Sequence, residues 1–259
     1  MIPIYYINLK RSQERDKFMK SQLQLFEHKR IEAIDYLNEP NIIKYDSNNK
    51  TEKKFLACLS SHLYAIKTAY DDNLNEVIIS EDDIDLQSIY FLIYDKLDCF
   101  LKQTCDDCHV IQLHSCKNPL YKNTINKHQE LSLQEKKLQY WGCTFYYINR
   151  KGMEQIMSMY KNDVFDLTPF KTSPLLSDVI IYSICKTKIL NVPCVNIVNP
   201  TTNESTLQTE RHLKYIQHPG FSFVNSFKNI FINKFLDYDT KDNTSNMENK
   251  DTTTKSDES

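Results

Sequence analysis

Apolar positions along this chain alternate between strand-like runs and helix-like spacing. Residues 2–7, Ile-Pro-Ile-Tyr-Tyr-Ile, are β-branched or aromatic and predict a buried first strand. Residues 11–27 scatter Phe18, Leu23 and Phe26 among charges, the pattern of a helix. Residues 30–34 predict a second strand, and the Asn-rich residues 40–52 predict turns. The clearest helix comes next. Phe55, Leu59, Leu63, Ile66 and Tyr70 recur every three or four residues and therefore share one face. The pattern stops near Asp71-Asp72-Asn73. Glu76–Ser80 then predicts a short buried strand that runs straight into Glu81-Asp82-Asp83-Ile84-Asp85.

The alternation continues downstream. A helix is expected over 88–102, a strand over 109–114, and a polar, irregular substrate loop over 116–137. A strand over 143–148 precedes helices over 150–161 and about 175–186. Strand-like residues cover 188–198, and 207–236 read as partly helical. Strands alternating with helices imply an α/β fold whose largely parallel sheet is covered on both faces. Residues 237–259 differ. Seven acids and three lysines leave a charge of -4, and Ser, Thr and Asn fill the remainder. Such a segment has too little apolar surface to order itself and is expected to be a disordered acidic tail.

With 259 residues, 41% of them hydrophobic and 25% charged, the chain suits one large domain or two small ones. A net charge of -2 with no basic stripe points away from a nucleic-acid partner. Only 3 glycines, Gly142, Gly152 and Gly220, leave no room for a Gly-rich phosphate loop. Any phosphate must be held by a metal, by basic side chains or by a helix N-terminus. No run reaches the roughly 20 apolar residues of a membrane span, and no basic leader precedes the first strand. A cytoplasmic location is the expectation, with the eight cysteines as reduced thiols.

The acids at 81–85 are the most informative feature. Open parallel sheets bind ligands beyond the carboxyl ends of their strands. Carboxylates crowded there either repel one another or share a cation, and hard cations take oxygen ligands together with substrate phosphates. Such a cation acts as a Lewis acid on a departing diphosphate. The competing reading is an acidic turn that caps the next helix.

The ordered motifs resemble glycosyltransferase family 25, which includes lipooligosaccharide and collagen galactosyltransferases. The opening stands here as Ile7-Asn8-Leu9-Lys10-Arg11-Ser12-Gln13-Glu14-Arg15. The second motif stands as Ala57-Cys58-Leu59-Ser60-Ser61-His62. The third is the apolar strand ending in Glu81-Asp82-Asp83. A fourth is Val110-Ile111-Gln112-Leu113-His114, and a fifth runs from Gly142 through Tyr146, Ile148 and Arg150 to Gly152. The resemblance runs over roughly residues 2–206. Phe55 and Ala57 stand where the family has Glu and Gly, Cys143 where it has Thr, and Leu176-Ser177-Asp178 where it has a Pro-Ile-Asp type motif.

The resemblance implies a single GT-A-type domain over 1–236, with a mixed, mostly parallel sheet flanked by helices. It implies an inverting, metal-dependent transfer of a hexose, galactose first, from a UDP-sugar to a hydroxyl on a glycan or protein. Manganese or magnesium is the expected cation, on Asp83 with Asp85 as a second ligand. Asn8, Leu9, Arg11, Arg15, His62, Glu81 and Asp82 are expected at the donor. Asp178 is the expected general base, since single displacement requires a carboxylate to take the hydroxyl proton. Trp141 is the expected acceptor contact, with Tyr146 and Tyr147 as further candidates for sugar stacking. Each assignment has a plainer alternative: solvated arginines on a helix face, an inward hydrogen-bonded His62, and a helix-start acid at 178. Cys105-x-x-Cys108, with Cys99, Cys116, His109 and His114, is a rival zinc site. A glycosyltransferase fold kept as a binding or scaffolding module is the alternative function.

Overall fold

Runs of Ile, Val and Tyr build the sheet, because branched and aromatic side chains pack well on a pleated surface. The computed structural model describes residues 1–37, 42–46, 48–86, 100–101, 108–115, 121, 124, 132–137 and 139–197. The expected helix over 88–102 apart from Phe100 and Leu101, the partly helical 207–236, the tail from 237, and Cys99, Cys105 and Cys116 lie outside the described residues.

Twelve strands are described: β1 Ile4–Asn8, β2 His28–Glu32, β3 Ile43–Lys44, β4 Glu76–Glu81, β5 Ile84–Asp85, β6 Val110–Gln112, β7 Leu133–Glu135, β8 Phe145–Asn149, β9 Tyr160–Lys161, β10 Val164–Asp166, β11 Thr187–Leu190 and β12 Asn196–Ile197. Helices α1 Gln13–Gln22, α2 Lys53–Asp71, α3 Arg150–Met157 and α4 Ser177–Ile184 flank them. The main sheet has seven strands in the order β2-β1-β4-β8-β6-β11-β7. β1 runs parallel to β2 and β4, and β6 parallel to β11. β8 is antiparallel to β4 and β6, and β7 is antiparallel to β11. The α/β fold with a mixed sheet between helices is as expected.

Strand alternation sends side chains to two cores. Ile4, Tyr6, Ile78, Phe145 and Tyr147 pack with Met19 of α1 and with Leu23, which caps its end. Tyr5, Ile7, Val77, Ile79, Tyr146 and Ile148 pack with Leu59, Leu63 and Ile66 of α2, Met153 and Ile156 of α3, and Ile180 and Ile181 of α4. The apolar stripe of α2 thus lies flat on the centre of the sheet, which places the middle of that helix over the ends of β4 and β8.

Two expectations change in detail. The helix over 150–161 stops at Met157, because a tight turn follows. Asn162 and Asp163 hold positive φ of 51 and 64, which folds β9 back on β10, and β10 pairs with β3 in a separate three-stranded sheet. Part of the expected irregular loop is also ordered. Leu133–Glu135 forms the edge strand β7, and its half-buried Leu133 packs on the α1-side core.

Candidate functional site

The parallel pairing of β1 and β4 brings their carboxyl ends to one edge of the sheet, with Ile7 opposite Glu81. Because β8 runs the other way, its beginning reaches the same edge. The Glu81 N–H donates to the Thr144 carbonyl at 2.8 Å. Four of the expected site elements therefore converge: the end of β1, the acidic turn, the segment 141–144, and the middle of α2.

Asp82 is the most constrained acid. Asn8 Nδ2 donates to its Oδ2 at 2.7 Å, and Arg15 donates to its Oδ1 at 2.9 Å. Asn8 Nδ2 also donates to the Ser12 carbonyl at 3.1 Å, while Asn8 Oδ1 accepts from Arg30 Nε at 2.9 Å. Burial pushes the Asp82 carboxyl up, and Arg15 and Asn8 pull it back. Arg15 is thus committed to an acid of the chain. Arg11 is turned to Asp35 and lies over the Tyr36 ring, and Leu9 is half-buried with its carbonyl accepting from the Ser12 N–H.

Glu81 faces α2. Its Oε1 lies 3.2 Å from His62 Nε2. His62 is buried at 1% exposure, as its place beside the apolar stripe predicts. Its Nδ1 lies 3.2 Å from the Tyr146 hydroxyl, and its Nε2 lies 3.4 Å from Cys143 Sγ. Burial works against a charge on this ring, but the acceptors crowded about it, Cys143 and Tyr146 first, outweigh burial and hold its pKa above the ordinary histidine range. Cys58, one helical turn before His62, has its Sγ 3.3 Å from Ser177 Oγ at the start of α4. Ligand-type atoms of Cys58, His62 and Glu81 all lie within 4.8 Å of one another.

Asp83 is held differently. It is half-buried, and its Oδ1 is sealed from solvent with no hydrogen-bond partner. Burial, with repulsion from Glu81 and Asp82, pushes its carboxyl up to about 7. Asp85 is half-buried in the short strand β5, which pairs with β12. His114, just past β6, is buried, its Nδ1 also lacks a partner, and burial pushes its pKa down to about 4 against the field of Glu81.

The remaining candidates meet at Gly142, whose φ of 101 favours a residue without Cβ. Asp178 Oδ2, in the first turn of α4, accepts from the Gly142 N–H at 2.8 Å. The Tyr182 hydroxyl donates to the Gly142 carbonyl at 3.1 Å. The Trp141 carbonyl accepts from Ser115 Oγ at 3.0 Å, which fixes its backbone while its ring stays 52% exposed. Tyr146 and Tyr147 are buried, so of the three aromatic candidates only Trp141 offers a ring to solvent.

The cysteine expectations need correction. Cys108 is disulfide-bonded, so it is not a free thiol and has no thiolate for zinc. His109, its neighbour, accepts the Lys186 N–H on Nδ1 at 3.3 Å. Cys58, Cys143, Cys185 and Cys194 are free. Burial pushes Cys143 and Cys185 up to about 12. Sequence reasoning assigned no site role to Cys58 or Cys143. The Cys58–His62 spacing of one helical turn was a usable signal; for Cys143 there was none, since its approach to His62 depends on how β8 docks beneath α2.

The sequence model of glycosyltransferase family 25 (LPS biosynthesis protein) matches residues 1–168. That stretch holds Asn8, His62, the acidic turn and Trp141, and it ends before Asp178. None of the curated proteins matches the chain.

Proposed function

The chain belongs to glycosyltransferase family 25, and from that membership we propose an inverting transfer of a hexose, galactose first, from a UDP-sugar to a hydroxyl on a glycan or protein, carried out by a GT-A-type domain. Glycosyltransferase activity, with a sugar donor and an acceptor, follows from the family. Among the described residues no helix is long and apolar enough to cross a membrane.

The observation that carries the finer reading is Asp83. It stands at the carboxyl edge of the sheet with a buried oxygen that no group among the described residues satisfies. Leaving such an atom bare costs about 1–3 kcal/mol, more for a charged group. A divalent cation suits this position, because Asp83 and Asp85, two residues on, both offer hard carboxylate oxygens. When bound, manganese or magnesium offsets the charge that develops on the departing diphosphate.

The protein groups take separate tasks in this reading. Asn8 and Arg15 hold Asp82, which fixes the turn that carries Asp83. His62 holds Glu81 on the α2 side of that turn. Asp178 accepts the proton of the acceptor hydroxyl as that oxygen attacks the anomeric carbon, through a transition state with oxocarbenium character. The Gly142 N–H aims the Asp178 carboxylate without protonating it. The Trp141 ring offers a flat apolar face to the acceptor sugar.

A second reading is a donor-binding module without turnover. One observation favours it: the family match ends at residue 168, ahead of the proposed base. Calorimetric titration with UDP and UDP-hexoses, with manganese or with chelator, separates the readings when run beside a turnover assay on an acceptor panel. Binding with turnover supports the enzyme. Binding without turnover supports the module. No binding of any UDP species removes the UDP-sugar donor, and equal behaviour in chelator removes the cation at Asp83.

A further inference from the structure

The cluster beneath the acidic turn has a different chemistry from the turn itself. Cys58 and His62 lie one turn apart on the same face of α2. Glu81 reaches them from β4, and Cys143 from the segment before β8. Sulfur, imidazole nitrogen and carboxylate oxygen thus lie within 4.8 Å of one another, and the second sulfur approaches the imidazole nitrogen at 3.4 Å. We propose that Cys58, His62, Glu81 and Cys143 form a binding site for a thiophilic divalent transition-metal ion, zinc foremost.

The geometry is close to what such an ion requires. Zinc takes four ligands tetrahedrally at about 2.0–2.3 Å, which sets neighbouring ligand atoms roughly 3.2–3.8 Å apart. His62 Nε2 lies 3.2 Å from Glu81 Oε1 and 3.4 Å from Cys143 Sγ. The Cys58 sulfur is within 4.8 Å of both the His62 and Glu81 ligand atoms, a gap that a small rotation of a half-exposed side chain closes. A second shell is already built. The Tyr146 hydroxyl at His62 Nδ1 fixes the ring so that Nε2 faces the cluster. Ser177 Oγ steadies Cys58 in the same way.

The donor set also separates this site from the one at Asp83. Soft thiolates with imidazole select zinc and its neighbours, whereas carboxylates alone suit manganese or magnesium. The site shares His62 and Glu81 with the transfer reading but not its cation, so its test reads metal binding and not turnover. Half-exposed Cys58 and Glu81 give an entry path to buried His62 and Cys143. Binding releases the protons of its imidazole and thiol ligands to the buffer, so it weakens as the pH falls.

The test uses the full chain, stripped of metal and handled without oxygen or added reductant, so that Cys58 and Cys143 stay free and the Cys108 disulfide stays closed, titrated with cobalt(II) and then with zinc. The expected result is a thiolate-to-cobalt charge-transfer band that zinc abolishes and excess manganese does not. Cys58→Ser and Cys143→Ser each weaken cobalt binding tenfold or more and lower the band. If buried Cys143→Ser does not fold, as its melting curve reveals, half-exposed Cys58→Ser decides alone. Wild type that shows no such band overturns the proposal. So does a band undiminished in Cys58→Ser, which would place the ion on other cysteines.

Discussion

Asn8 donates to the carboxylate of Asp82 across 2.7 Å, and this bond ties the carboxyl ends of two adjacent parallel strands. Both residues are buried, at 1% and 9% exposure. The same amide holds the Ser12 carbonyl and receives Arg30, so one side chain joins β1, β2, the start of α1 and the acidic turn. Truncating Asn8 leaves a buried carboxylate with one donor fewer. Asn8→Ala is expected to lower stability by about 2 kcal/mol, since hydrogen bonds to charged groups contribute about 1.5–3 kcal/mol. Urea denaturation checks this; a midpoint equal to that of wild type contradicts it.

Asp83 makes stability depend on pH. Its carboxyl is held at about 7, against about 3.9 in an unfolded chain. Between those values the folded chain keeps a proton that the unfolded chain has lost. This group's contribution therefore falls as pH rises from about 4 to 7, and it is constant outside that window. In chelator, Asp83→Asn is expected to gain on wild type across the window by an amount on the order of 2 kcal/mol. Parallel stability curves for the two proteins from pH 4.5 to 7.5 would count against the account.

Gly152 sits in the first turn of α3 against β6 and β8. A Cβ there meets Ile148 Cγ1 at 2.8 Å and the His109 carbonyl oxygen at 2.9 Å. That carbonyl is fixed, because it accepts from the Asn149 N–H at 3.1 Å. Alanine favours helix over glycine by at most about 1 kcal/mol, whereas overpacking costs about 1–3 kcal/mol. Gly152→Ala is expected to destabilise by roughly 1–2 kcal/mol net. A raised melting temperature would show that the strand ends yield more easily than this packing implies.

Asp178 offers a clean separation of fold from chemistry. An asparagine amide oxygen can still accept from the Gly142 N–H, so Asp178→Asn keeps the contact that joins α4 to the 141–144 segment. It loses the basic oxygen that takes the hydroxyl proton. Turnover with acceptor is expected to fall by about 100-fold or more, with the melting temperature and the donor KM unchanged. Wild-type turnover in this variant assigns the base to another residue.

Much of the fold was written in local pattern. The α2 stripe, the apolar run of β4 and the fifth motif around β8 follow from period and composition, because each buries one face on a broad sheet. The short elements were not legible. β7 is three residues long at an edge, and β9 and β10 depend on the left-handed Asn162-Asp163 turn, so neither leaves a periodic signal. At the site, the ordered motifs located Asn8, His62 and the acidic turn. They did not reveal that Arg15 is spent on Asp82, that Arg11 turns to Asp35, or that Cys143 meets His62. Those contacts link residues 24 to 81 positions apart, and only the packing of α1, α2 and β8 on one sheet decides them.

Sugar transfer from a nucleotide donor is proposed at the carboxyl edge of this sheet. Release of UDP from a panel of UDP-hexoses tests it most directly, because slow donor hydrolysis can be read without the acceptor. The assay compares wild type with Asp83→Ala, in manganese and in chelator. Release is expected from one donor, dependent on manganese and lower by about 100-fold or more in Asp83→Ala. Release undiminished in both chelator and Asp83→Ala would contradict the cation at Asp83, and no release from any donor, with no UDP binding, would contradict the UDP-sugar donor itself.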